Sequence, residues 1–179
     1  MRATYTMKIA GLERELPLCS VSDSLDIAAF IMFSDVEITI ATAKALLEKC
    51  GDFDIILTAE TKGIPLAYEM ARQSGKNYIV ARKSVKVYMP NPISVNVKSI
   101  TTEGVQTLYL SQEDAARIAG KRVLIADDVI STGESLIALE TLVKAAQGTV
   151  ACKAAVLAEG AAADRDDIVF LEKLPVFPK

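Results

Sequence analysis

Val123-Leu124-Ile125-Ala126-Asp127-Asp128-Val129-Ile130-Ser131-Thr132-Gly133-Glu134-Ser135 is the stretch that orders the rest of this chain. The apolar residues after Arg122 read as a buried strand. Two adjacent carboxylates end it, and a loop of hydroxyl residues and glycine opens a helix over about 134–146. That helix puts Leu136, Leu139, Val143 and Ala146 on one face. Ligands of open α/β sheets bind at the carboxyl ends of strands. Loop N–H groups and a helix N-terminus can hold a phosphate there, and Ser131, Thr132 and Ser135 add hydroxyl donors. Asp127 and Asp128 can each accept a hydrogen bond from a vicinal diol. Carboxylates beside a phosphate cradle point to a ribose phosphate rather than to phosphate alone. Asp-Asp by itself reads equally as a polar turn or a metal-binding pair; the whole string carries the argument.

Outward from this stretch the same rhythm repeats. Ser34 to Glu37 reads as a capping box, and Val36, Ile40, Ala43, Leu47 and Cys50 recur at helical spacing before Gly51. Residues 54–59 predict a buried strand and 63–74 a helix with Ile64, Ala67, Met70 and Ala71 inward. Residues 78–81 and 149–157 predict further strands, and 112–119 a short helix. Pro90 and Pro92 break residues 84–110, whose apolar arms flank a polar tip at 101–104, as in a long hairpin or lid. Strands alternating with helices imply a parallel sheet with helices on both faces. The expectation is one domain over 1–179, with a small hood from about 1–33 and 160–179 and a lid over about 84–110.

Composition narrows the chemistry. The 179 residues suit one core. There is no histidine, which excludes histidine triads and imidazole zinc sites. Three cysteines without metal-ligand spacing fit reduced thiols in the cytoplasm. No apolar run reaches the roughly 20 residues that span a bilayer, and the first residues do not form a signal peptide, so no membrane is expected. A net charge of −3 argues against nucleic acid as a partner. Residues 62–98 nevertheless hold seven basic side chains and one acidic one, Glu69. Such a local field suits a small polyanion, and equally a solvated face.

The string 123–135 resembles the signature of the type I phosphoribosyltransferases. The resemblance implies that Asp127 and Asp128 face the ribose hydroxyls, while Ser131, Thr132, Gly133, Glu134 and Ser135 hold the 5-phosphate of 5-phosphoribosyl-1-pyrophosphate. Glu134 stands where adenine-type members commonly have Gly. Thr58 to Gly63 is similar to the family's pyrophosphate loop, which assigns Glu60, Thr61, Lys62 and Gly63 to pyrophosphate, with Lys62 in place of a common Arg. Arg82, Lys83 and Lys86 resemble the Arg-Lys-x-x-Lys of adenine phosphoribosyltransferases; alone they read as a strand edge. The lid of adenine-type members carries a catalytic Glu just before a Gly. Alignment on Gly104 puts Thr102 there, and Glu103 one place later is the candidate acid. Residues 25–49 resemble the hood and first helix of bacterial xanthine phosphoribosyltransferase and of the purine repressor's effector domain, and 170–177 the chain end of adenine-type enzymes.

The resemblance implies a purine phosphoribosyltransferase using Mg2+ held mainly by the substrate, with no direct protein ligands, and working as a homodimer. Xanthine-type members place an Asn where Met32 stands and a Lys where Gly160 follows Glu159. The expected base slot is instead apolar, formed by Leu25, Phe30, Met32, Val129 and Ile130, and leans towards adenine. A 6-oxopurine enzyme, an orotate-type enzyme and a regulator that binds the sugar pyrophosphate without turnover stay open.

Overall fold

The computed structural model describes residues 3–98 and 105–179. The chain begins with β1 (Thr4–Ile9), β2 (Leu12–Ser22) and β3 (Leu25–Ala28). Ala10 and Gly11, both at positive φ, make the two-residue turn between β1 and β2, the handedness that suits a tight hairpin. α1 (Val36–Lys49), β4 (Ile55–Ala59), α2 (Ile64–Ser74) and β5 (Asn77–Ala81) follow. β6 (Ile93–Lys98) and β7 (Val105–Leu110) form an antiparallel hairpin. Then come α3 (Gln112–Ile118), β8 (Arg122–Ile130), α4 (Glu134–Ala145), β9 (Thr149–Glu159), β10 (Val169–Leu174) and β11 (Val176–Pro178).

Five strands build the central sheet in the order β10-β9-β8-β4-β5, every pair parallel. β4 is buried along its whole length and β8 along most of it, as expected for strands covered on both faces. One face packs on α1, α2 and hood residues such as Ile9, Leu16 and Phe30; the other packs on α3, α4 and Leu108 and Leu110 of the hairpin. Each fully buried Leu or Ile contributes roughly 1.5–3 kcal/mol. This is the doubly covered α/β sheet that the alternating pattern implies. The hairpin is anchored by that packing and by a backbone bridge between Arg82 and Tyr109.

Three local expectations change. The hood is a separate antiparallel sheet, β1-β2-β3-β11. Only β11 of the chain end joins it, because β10 pairs in parallel with β9 as an edge strand of the central sheet. The cap of α1 is Asp35, whose carboxylate accepts from the Ile38 N–H at 3.0 Å, while Ser34 takes a positive φ. α1 is also rotated: Ile38, Thr39, Thr42, Ala43 and Leu46 face the core, whereas Val36 and Ile40 are exposed. Apolar residues lie around much of this helix, so periodicity alone does not choose between its faces.

Candidate active site

β8 does not stop before its carboxylates; it continues through Asp127 and Asp128 to Ile130. Strand alternation therefore sends these two side chains to different surroundings. Asp128 is 3% exposed, and its Oδ2 lies 2.8 Å from Lys62 Nζ. The approach is off the hydrogen-bond direction, so this oxygen has no hydrogen-bonded donor among the described residues. Asp127 Oδ1 accepts from the Asp128 N–H at 2.9 Å. Burial, and then the neighbouring charge of Asp128, push the Asp127 carboxyl up to about 8.

The loop leaving β4 faces this pair, and its Glu60–Thr61 peptide is cis. Glu60 is tied on two sides: its N–H donates to Ala81 O at 2.9 Å, and its Oε2 accepts from the Lys83 N–H at 2.9 Å. Arg82 lies 3.4 Å from its Oε1. The Lys83 N–H, with help from the charges of Arg82, Lys86 and Lys83, holds Glu60 below the usual range for a glutamate. Gly63 is buried where a Cβ would fall 2.4 Å from Thr58 Oγ1 and 3.0 Å from Asp127 Oδ1. Lys86 Nζ donates to Ser84 Oγ at 2.7 Å. Among the described residues Lys86 thus meets only a neutral hydroxyl and the buried Arg82 Nε has no hydrogen-bond partner.

On the other side of Asp127 the backbone turns at Gly133, φ +81°, into α4. A cavity of about 50 Å³ lies between Asp127 and residues 129–136, which include Ser131, Thr132, Gly133, Glu134 and Ser135. Arg165, which sequence analysis passes over, backs this turn: a Cβ on Gly133 would lie 2.7 Å from its guanidinium nitrogen. Arg165 is bidentate to Asp167, at 2.8 and 2.7 Å. Lys153 joins Asp167 to Glu140 of α4. In the sequence, residues 164–167 look like a solvated charge run.

A larger cavity, about 360 Å³, is lined by residues 59–62, Lys83, Asp127, Asp128, Val129 and Ser135. A third, about 410 Å³, lies between the hood and β8, lined by Ile27, Phe30, Lys62, Val129, Glu159 and Leu174 among others. Lys62 and Val129 border both of these, and Asp127, Val129 and Ser135 border both the 360 Å³ cavity and the turn at Gly133. Of the five apolar residues expected together, Phe30 and Val129 line the hood cavity. Leu25 pairs with Pro178 within the hood sheet. Met32 is buried in the core and borders a groove beside α1. Ile130 is buried on the α4 face. Glu159, unremarked as a cavity residue in the sequence, is there instead, and burial raises its carboxyl above the ordinary value against the opposing charge of Lys62. Glu103 and Thr102 lie outside the described residues.

A parallel sheet, a carboxylate pair on its central strand and a glycine turn feeding a helix thus lie together on one α/β domain. Residues 36–176 match the phosphoribosyl transferase domain, and the chain belongs to that family. It is 28% identical over 156 residues to a probable purine biosynthesis transcriptional regulator of Streptococcus pneumoniae, covering 82% of this chain and 55% of that one. It is 37% identical over 100 residues to adenine phosphoribosyltransferase of Thermotoga petrophila, covering 55% of each. A 33% match over 85 residues to the purine biosynthesis repressor of Bacillus subtilis covers 48% of this chain and 29% of that protein. The chain thus spans about half the length, or less, of these curated relatives. The fold matches adenine phosphoribosyltransferase of Thermoanaerobacter pseudethanolicus with a TM-score of 0.68 at 23% identity, covering 79% of this chain and 84% of that one. The Saccharomyces cerevisiae enzyme, crystallised with adenine, gives 0.64 at 19% identity, with 95% and 92% covered.

Proposed function

We propose that this chain is a purine phosphoribosyltransferase that joins adenine to the ribose phosphate of 5-phosphoribosyl-1-pyrophosphate, forming AMP and releasing pyrophosphate. The observation that carries this is the run of three joined cavities around Asp127 and Asp128. In this reading the turn at 131–135 holds the 5-phosphate, the carboxylates hold the ribose diol, and residues 60–63 with Lys83 meet the pyrophosphate. The hood cavity takes the base.

The substrate replaces contacts the protein makes with itself. Lys62 leaves Asp128 for the pyrophosphate as the diol takes over the Asp128 oxygen. A base nitrogen attacks the anomeric carbon and the base gives up one proton, to water or the departing pyrophosphate; the bond to the pyrophosphate oxygen breaks, and its electron pair leaves with pyrophosphate. Lys62, Lys83 and Arg82 stabilise the charge that builds there. Mg2+ would be held mainly by substrate oxygens and water, beside the Asp127 and Asp128 carboxylates that line the same cavity. When bound, the ion neutralises the departing pyrophosphate. Glu103 is the proposed lid acid.

Glu159 favours adenine. A carboxylate accepts from the exocyclic amine of adenine and opposes the 6-oxo group of the oxopurines. Met32, buried elsewhere, has no part in that choice. Phe33, Val36, Ile40 and Tyr68 are exposed around an apolar groove of about 380 Å³, which supports a homodimer, and the three thiols support a cytoplasmic setting. The test is turnover of purified protein with 5-phosphoribosyl-1-pyrophosphate, Mg2+ and a panel of adenine, hypoxanthine, guanine, xanthine and orotate. AMP formation at the highest kcat/KM supports the reading. Binding of the sugar without any product points to a regulator.

A further inference from the structure

We propose that Cys50 and Cys152 are a modification site: a dithiol that closes reversibly to an intramolecular disulfide when a low-molecular-weight disulfide or peroxide is present. Their Sγ atoms are 3.3 Å apart although 102 residues separate them in the chain. Cys50 caps the C-terminus of α1, its N–H bonded to Leu46 O at 2.9 Å, so its position is fixed by the helix. Cys152 is brought to it by a local irregularity of β9. Val123 pairs with Val150, but Leu124 pairs with Cys152, so Ala151 is an extra residue opposite β8.

That bulge reverses the alternation of the strand. In a regular strand, residues 150 and 152 point to the same face. Here Val150 packs with the α4-side cluster and Cys152 with the α1-side cluster, where Cys50 also lies. A bulge re-aims a side chain in this way. The result is two half-buried thiols in contact at the rim of the core, both packed against the α1-side cluster. Their separation must shorten from 3.3 Å to the roughly 2.05 Å of an S–S bond. The contact lowers one thiol of the pair and raises the other, so that a thiolate forms beside a thiol that can donate to it.

With oxidised glutathione as oxidant the electrons balance. Where Cys152 attacks first, its thiolate cleaves the glutathione disulfide, forms a mixed disulfide and releases one reduced glutathione. The Cys50 thiolate then attacks the Cys152 sulfur and displaces the second. The two protein thiols give up two electrons and two protons, which end on two glutathione molecules. The new bond ties the end of α1 to the start of β9 and constrains the unfolded chain.

The experiment titrates thiols in the full-length native protein before and after oxidised glutathione. The expected count falls from three to one, the mass drops by two hydrogens, and dithiothreitol restores both. Peptide mapping should show residues 50 and 152 linked, Cys19→Ser should leave the change intact, and Cys50→Ser should abolish it. The oxidised form should melt at higher temperature. Three free thiols after oxidation, or a crosslink that runs through Cys19, overturns the proposal. Mapping of the parent protein decides it even where Cys50→Ser fails to fold, and an unchanged or lower melting temperature overturns the stabilising tie between α1 and β9.

Discussion

Gly63→Ala is a one-methyl probe of the site's tightest contact. The added Cβ would lie 2.4 Å from Thr58 Oγ1, 3.0 Å from Asp127 Oδ1 and 3.4 Å from Ala126 O. Relief to 3.0 Å, below which real Cβ atoms are essentially never found, needs about 0.6 Å of movement. Thr58 is fully buried in β4 and cannot give way cheaply, so the loop at 60–63 must lift or Asp127 must swing. Overpacking of this kind costs about 1–3 kcal/mol, which lowers the melting temperature by roughly 2–12 °C in a chain of this length. Backbone φ at Gly63 is −73°, so conformational strain adds nothing and the effect is packing alone. Displacement of the loop should also lower turnover with 5-phosphoribosyl-1-pyrophosphate by roughly ten- to a hundred-fold. Thr58→Ala removes the nearest atom and a buried hydroxyl that has no hydrogen-bond partner among the described residues. Thermal melts and initial rates of both single variants and the double variant form the cycle. The double variant should recover part of both losses, incompletely because the Asp127 contact remains. A Gly63→Ala protein that melts and turns over like the parent refutes the reasoning. So does a Thr58→Ala change that adds to the loss instead of relieving it.

Asp127→Asn with Asp128→Asn removes the Asp128 charge, whose hydrogen bond contributes roughly 1.5–3 kcal/mol, and the carboxyl of Asp127, which is protonated before substrate binds; isothermal titration should show sugar-pyrophosphate binding weakened ten-fold or more, with Asp128→Asn the more damaging single change. Stability of the unliganded protein should fall as pH rises from about 4 to 8, because folded Asp127 keeps its proton to about 8 while the unfolded chain releases it near 3.8. Denaturant titrations across that window should show the slope, and Asp127→Asn should flatten it. Glu159→Gln should narrow the kcat/KM preference for adenine over hypoxanthine by about ten-fold, one charge-assisted hydrogen bond's worth; an unchanged ratio in competition assays puts base selection elsewhere. Arg165→Lys should retain ribose 5-phosphate binding better than Arg165→Gln, with pyrophosphate affinity alike in both; equal losses would leave packing, not charge, as the role of Arg165.

What the sequence discloses follows from how local each feature is. The string 123–135 is legible because the strand, carboxylates, turn and helix start are consecutive, and backbone geometry alone aligns them. Glu159 is not, since it arrives by parallel pairing of β9 with β8, where Ala158 stands beside Ile130. Arg165 reaches Gly133 only through the short helical turn Gly160–Asp164 after β9. Met32 enters the expected slot through the family resemblance and Ile130 through its apolar character, and neither specifies which cavity a residue borders: Met32 borders the groove beside α1 and Ile130 the small cavity at the Gly133 turn. The face of α1 fails for a related reason: Val36 and Ile40 continue the apolar pattern onto exposed surface, beside Phe33 and Tyr68. The edge role of β10 was hidden because alternation in residues 169–174 cannot say which sheet a strand will join.

The cavity beneath the hood is a seam between two sheets with separate hydrogen-bond ladders. Its floor, Val129 and Glu159, belongs to the strands that also carry the carboxylates and the turn at Gly133; its roof, Ile27 and Phe30, comes from the hood side. A substitution in the roof can reshape the seam without breaking one pairing of the central sheet. In the proposed enzyme this separates two inheritances. The sugar-phosphate grip is held rigid by the sheet, while the choice of base can drift with the hood, one side chain at a time, and leave the grip intact.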